Sequence, residues 1–241
     1  VNADETFPLQ NVSLNVDGQY FSNSQKQLKC TPTKGLVGYW PFNEEEDSEK
    51  SRDLSGYGND ASVDKDVSRV KGIDGYAYRS TGNNFDGSLS GEGALYIKDS
   101  QSLTFDGNLT VSMWLKNQDG GGLVDGTVLD KGAHFQNEEG AFTVHTGGSG
   151  YPSLFVANGS DRVISTANVN IQDEKWQHFA GVYSFGEYAE SYGNGDQDIR
   201  TLTDLKIQNT NNRMTVGRRT GWHNYAEVSF DELYIFNAAL N

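Results

Sequence analysis

The segment Asp53-Leu54-Ser55-Gly56-Tyr57-Gly58-Asn59 sets a carboxylate, a hydroxyl and an amide oxygen into a glycine-rich turn. Calcium takes about six to eight oxygen ligands from carboxylates, amides and backbone carbonyls, and a turn of this composition offers all three kinds. The same residues have a plainer use, because Asp and Asn side chains cap turns by bonding nearby backbone. A second concentration of chemistry-bearing side chains is Arg218-Arg219-Thr220-Gly221-Trp222-His223-Asn224-Tyr225. It places an indole and a phenol in a loop, outside any alternating strand, beside planar hydrogen-bonding groups. A sugar ring packs on aromatic faces and is oriented by a few polar groups. Trp222, His223, Tyr225 and Arg219 therefore form a candidate carbohydrate-binding set, which Tyr151 joins from another turn. The alternative is packing within the loop or against the N-terminal residues.

Catalytic patterns are weaker. Glu45, Asp47 and Glu49 alternate as carboxylates in Glu45-Glu46-Asp47-Ser48-Glu49. A retaining glycosidase needs two acids about 5.5 Å apart on a rigid frame, one of them in an apolar setting that raises its pKa. Here the flanks are polar and carry no strand pattern, so the run reads as a solvated acidic loop. His134, His145, His178 and His223 show no H-x-x-x-H spacing, and His178 sits inside an apolar strand, where a structural role is expected. No G-x-S-x-G element occurs, and the single cysteine, Cys30, lacks a nucleophile motif. Gly120-Gly121-Gly122 has no phosphate-loop lysine and reads as a hairpin tip. No catalytic residue is assigned, and the chain is read as a binding protein rather than an enzyme.

The elements that position these residues are short strands. Leu109-Thr110-Val111-Ser112-Met113-Trp114-Leu115 alternates with period two, as a half-buried strand must. Leu36 to Phe42, Ala141 to Val144, Leu154 to Ala157, Trp176 to Tyr183 and Val228 to Phe236 are further apolar segments separated by Gly, Asn and Asp. Gly193-Asn194-Gly195 marks a hairpin turn within Tyr183 to Gln197. No long stretch shows helical periodicity. Trp40, Trp114 and Trp176 each lie in an apolar strand and are expected between two sheets. Residues 1–34 are polar and weakly patterned, and Thr31-Pro32-Thr33-Lys34-Gly35 reads as a hinge. The chain thus divides into an N-terminal arm, 1–34, and one domain, 35–241.

Bulk composition narrows the partners. The formal net charge is −14, which disfavours nucleic acid and anionic membrane surfaces. No apolar run is long enough to span a membrane, and no secretory leader is visible from Val1 onward, so a mature form without one is expected. Three N-x-[ST] sequons stand at Asn11, Asn108 and Asn158. A lone cysteine permits no internal disulfide.

The ordered motifs Gly38-Tyr39-Trp40-Pro41-Phe42-Asn43, Asp53 to Asn59, Val111 to Leu115, Lys175 to Tyr183, Thr215 to Arg218 and Phe230 to Leu240 resemble the laminin G-like, concanavalin A-like jelly rolls of bacterial surface proteins. The resemblance spans roughly 35–241, with residues 80–91 looking like an insertion. It implies an all-β, two-sheet antiparallel jelly-roll sandwich with a short N-terminal extension. It also implies that the early turn and a late Asp meet around a structural calcium ion, with Asp53, Asn59 and Asp231 as ligands. The expected function is an extracellular or cell-surface adhesion or carbohydrate-recognition module within a larger surface protein, binding a glycan or protein ligand. The alternatives are a polysaccharide-active hydrolase or lyase on the same fold, and a structural protein-protein interaction module.

Overall fold

In Leu109–Lys116 the alternation of the sequence becomes a division between core and surface: Val111, Met113 and Leu115 are buried while Ser112, Trp114 and Lys116 are half-buried. The computed structural model describes residues 15–16, 19–20, 34–45, 48–64, 66–80, 93–117, 126–132, 140–219 and 227–240. The chain forms two units, Val1–Lys34 and Gly35–Asn241. Strands β1 (Asn15–Val16) and β2 (Gln19–Tyr20) pair antiparallel in the first.

The second unit contains, in order, β3 (Leu36–Trp40), β4 (Lys50–Ser51), β5 (Ala61–Val63), β6 (Ser68–Lys71), β7 (Tyr76–Arg79), β8 (Leu95–Ile97) and β9 (Leu109–Lys116). There follow β10 (Gly126–Asp130), β11 (Ala141–Thr146), β12 (Pro152–Ala157), β13 (Arg162–Thr166), β14 (Gln177–Ser184), β15 (Tyr188–Gly193), β16 (Asp196–Leu202), β17 (Met214–Val216) and β18 (Ser229–Phe236). One antiparallel sheet runs β13-β12-β11-β10-β17-β8-β5-β4. The other runs β16-β15-β14-β9-β18-β7-β6, with β3 also paired to β18. Neighbours far apart in sequence, such as β9 beside β18 and β10 beside β17, are the crossovers of a jelly roll.

The inner faces meet through Val111, Met113, Leu115, Phe179, Phe230, Leu233 and Ile235 from one sheet and Leu95, Ile97, Leu129, Phe142, Val144, Leu154, Val156 and Val216 from the other. Each such side chain contributes about 1.5–3 kcal/mol by leaving water. Trp40 is fully buried and its Nε1 donates to the carbonyl of Asn59 at 3.0 Å. The expectation that all three strand tryptophans fill the core holds for Trp40 alone. Trp114 and Trp176 are only half-buried. In β9 the core phase belongs to Val111, Met113 and Leu115, so Trp114 shares the opposite face with Ser112. The Asn194-Gly195 hairpin forms as expected, with φ of 53° and 90°, the two positive values a two-residue turn of this kind requires.

Candidate functional site

The edge strands of the two sheets, β13 and β16, meet along one side of the sandwich. Two hydroxyls stitch them together, and a third, on Ser191 of β15, ties β13 to the next strand of the other sheet. Ser165 Oγ donates to the Ile199 carbonyl at 2.7 Å, Thr201 Oγ1 to that of Ile164 at 3.1 Å, and Ser191 Oγ to that of Ser165 at 2.9 Å. At one end of this seam Tyr151, Thr166, Ala167, Asn168, Asp198 and Ile199 line a cleft of about 320 Å³.

A bulge shapes its floor. Glu190 faces Arg200 and Tyr192 faces Gln197, so Asp198 and Ile199 together stand opposite the single Ser191. In a regular strand consecutive side chains point to opposite faces. Bulges bend the strand and redirect side chains, and here both Asp198 and Ile199 reach the cleft. Asp198 Oδ2 accepts the Asn168 backbone N–H at 2.7 Å, which fixes the carboxylate against the turn after β13. No described residue donates to its Oδ1, and the Tyr151 hydroxyl likewise has no partner among the described residues. Thr166 Oγ1 lies 2.9 Å from Ser153 Oγ, and the Ala167 N–H donates to the Pro152 carbonyl at 2.9 Å, which joins the Tyr151 segment to the end of β13. The cleft thus offers one aromatic ring, one aliphatic surface and a small set of held polar groups. Its volume lies at the lower end of ligand pockets, and its lining suits a small polyhydroxylated group.

The outer face of the β9/β14/β18 sheet is a second concentration of aromatic and polar side chains. Trp114 meets His178 edge-on at 5.2 Å, and Ser112 Oγ lies 2.9 Å from His178 Nε2. Burial lowers the His178 pKa to about 4, so the ring is neutral. Tyr39 and Tyr234 stack at 4.2 Å and 8°, and both hydroxyls donate to Glu232 Oε2, at 3.0 and 2.6 Å. Burial, then the bond to Glu232, pushes the Tyr234 phenol far above its ordinary pKa. Farther out, Arg200 Nη2 and Nε bond the buried Glu190 at 2.6 and 3.0 Å, and the guanidinium lies over the Tyr188 ring. Ser112 and His178 stand as the first two members of an acyl-transfer triad would. Among the described residues no carboxylate accepts from His178 Nδ1. On this face Ser112 is spent on His178, Tyr39 and Tyr234 on Glu232, and Arg200 on Glu190.

The expected calcium ligands do not form one oxygen cage. Asp53 Oδ1 accepts the N–H groups of Tyr39 (3.0 Å) and Ser55 (2.8 Å), and Oδ2 accepts the Ser55 hydroxyl (2.8 Å) and the Asn59 N–H (2.9 Å). The Asn59 amide donates to the Val37 carbonyl and Ser102 Oγ, and its oxygen accepts from Ser100 and Ser102. Asp231 bonds elsewhere. Its Oδ2 accepts from Ile73 N at 2.8 Å and its Oδ1 from Glu232 N at 2.8 Å. A Cβ on Gly72 would come within 2.5 Å of Asp231 Oδ2, so only glycine permits this approach. Burial is the main reason the Asp231 pKa is pushed up to about 7, against the lowering effect of the backbone N–H bonds. Among the described residues no three His, Cys, Asp or Glu side chains are grouped to hold a metal ion. The Asp53 carboxylate is taken up by four N–H and O–H donors, and that is its turn-capping use.

Of the expected carbohydrate-binding set, Tyr151 lines the cleft. Arg219 does not: it is half-buried beside Arg218, whose Nη1 donates to the Tyr96 hydroxyl at 3.2 Å. Trp222, His223 and Tyr225 lie outside the described residues, as do Cys30 and the 81–92 stretch. Sequence reasoning missed Thr166, Asn168, Asp198 and Ile199. One signal was present: Asp196-Gln197-Asp198-Ile199 follows an Asn-Gly turn, and an acidic strand after such a turn is an exposed edge.

The family model for the concanavalin A-like lectin/glucanase superfamily, laminin G-like type, matches residues 89–241. The chain belongs to that superfamily. No curated protein sequence matches the chain. Among solved structures this superfamily member is similar to the binding domain of Paraclostridial Mosquitocidal Protein 1, with TM-score 0.67, 16% identity, and coverage of 86% of this chain and 50% of that one. It is also similar to botulinum neurotoxin type C, in a structure described as showing cell entry dependent on two ganglioside molecules (TM-score 0.64, 13% identity, 86% of this chain and 49% of that chain). The serotype D neurotoxin ligand-binding domain in complex with N-acetylneuraminic acid gives TM-score 0.64 and 13% identity, over 87% of this chain and 49% of that one. At such identities the likeness is one of fold, and the chain spans about half the length of these structures.

Proposed function

We propose that this chain is a carbohydrate-recognition module of a secreted or surface-displayed protein, and that it holds its glycan in the cleft at the sandwich edge. The observation that carries the reading is the cleft itself, in which a tyrosine, an isoleucine and the side chains of Thr166, Asn168 and Asp198 converge on one space. The bulge at Asp198 and Ile199 and the hydroxyl stitches hold this lining before any ligand arrives. Preorganisation of that kind lowers the entropy lost on binding. Membership in a lectin-containing superfamily supports the reading, as do neighbours described with gangliosides and N-acetylneuraminic acid. Among the described residues no helix is long and apolar enough to cross a membrane.

A protein partner is the second reading. It is favoured by Leu202, Ile199 and Ile164, which are 79%, 52% and 36% exposed along the same seam.

The test is calorimetric titration of wild type and Tyr151→Ala with glycans selected on a mixed panel. Loss of the ring should weaken binding by about tenfold or more while leaving the melting temperature nearly unchanged. Full affinity in Tyr151→Ala rules out the cleft. A partner protein that binds wild type and loses affinity with Leu202→Ser, with no glycan bound, favours the second reading.

A further inference from the structure

We infer, on the proposal that the edge cleft holds a glycan, that it is built for uncharged sugars and rejects acidic ones such as sialylated, uronic or sulfated glycans. Of the residues that line it, Asp198 alone carries a charge, and that charge is negative. Its Oδ2 is anchored by the Asn168 N–H, which leaves Oδ1 to accept from sugar hydroxyls. Charge-assisted hydrogen bonds to a carboxylate are the stronger kind. Tyr151, Thr166 and Asn168 supply the neutral donors and acceptors around it.

A cation would favour an acidic sugar, and among the described residues that line the cleft there is none. Arg200 is on the same strand but is committed to Glu190 through two bonds and lies over Tyr188. Arg162 stands four residues from Thr166 along β13, about 13 Å away at the rise of a strand. The bulge decides the sign of the site, because it turns Asp198 into the cleft beside Ile199. The field of the whole chain works in the same direction, with a formal net charge of −14. Like charges brought together in a partly desolvated site are strongly unfavourable.

The experiment titrates wild type, Tyr151→Ala and Asp198→Asn with matched pairs of oligosaccharides that differ only by a terminal sialic acid or sulfate. Wild type should bind the uncharged member of each pair at least roughly tenfold more tightly. Asp198→Asn keeps an oxygen for the Asn168 N–H and should narrow that gap several-fold. Raising salt from about 0.05 M to about 1 M should narrow it in wild type, with no substitution involved. Equal or tighter binding of the acidic members, still lost in Tyr151→Ala, overturns the inference and leaves the glycan cleft standing. Failure of both members to bind removes the glycan reading and this inference with it.

Discussion

Two carboxylates, Asp53 and Asp198, show how this fold separates structure from recognition. Asp53 sits in a turn and accepts four hydrogen bonds, which tie the Ser55 and Asn59 backbone to Tyr39 at the start of the domain. Nothing of it is left for a ligand. Asp198 sits on a bulged edge strand, is held by one backbone N–H at Oδ2, and lines a cleft. By composition the Asp53 turn is the more site-like of the two. The difference teaches that the density of polar residues in a loop says little about ligand binding. What counts is how many of their bonds the fold itself consumes.

The contrast breaks most visibly at Asp53. Asp53→Ala strands the N–H groups of Tyr39, Ser55 and Asn59, and bonds to a charged acceptor are worth about 1.5–3 kcal/mol each, though not additively. A loss of about 3 kcal/mol, hence a fall in Tm of ~6–12 °C, is expected by calorimetry. Unchanged stability would mean that Asp53 is not the structural member of the pair.

Asp231 and His178 sharpen the account through pH. The Asp231 pKa is raised to about 7 in the fold, so its contribution is present at low pH and is lost as pH rises from about 4 to 7. The His178 pKa is lowered to about 4, so its contribution is present above about 6.5 and is lost as pH falls toward 4. The two oppose each other over much of that window. Asp231→Asn should therefore leave a protein that loses stability on acidification, and His178→Gln one that loses it on alkalinisation. Denaturant melts at pH 4, 5.5 and 7 (about half a window apart) read both slopes. Parallel slopes in the two variants would contradict the burial argument.

At the recognition end, Tyr151→Ala should cost about tenfold or more in glycan affinity and shift Tm by no more than about 2 °C. A collapse in stability would place Tyr151 with Asp53, as structure. The smallest effect concerns metal. Since the Asp53, Asn59 and Asp231 oxygens are already hydrogen-bonded, excess EDTA should move Tm by less than about 1 °C, because only a ligand bound to the folded state stabilises it. A large fall, reversed by calcium, would show that this turn binds an ion after all.

Much of the architecture was legible in the sequence. The alternation in Leu109–Lys116, the Asn194-Gly195 turn and the closing Phe230–Phe236 segment all form the elements their patterns imply. The cleft was not legible, because its lining comes from three separate segments, at 151, 166–168 and 198–199. Those segments meet only where the edges of two sheets converge, and the pairing of edges is not written in local periodicity. Trp114 is the instructive miss. Its apolar surroundings suggested the core, yet its phase with Ser112 already placed it outward. The four donors that engage the Asp53 carboxylate were not legible either, because composition does not say which backbone N–H groups a turn brings to its carboxylate.

The central claim is that the edge cleft is where a glycan binds. Titrating a bound glycan into isotope-labelled protein and mapping amide chemical-shift changes tests it most directly. Shifts centred on Tyr151, Thr166 to Asn168 and Asp198 to Ile199 are predicted. Shifts centred on Trp114 and His178, on the Asp53 turn, or on Trp222 to Tyr225 would contradict it.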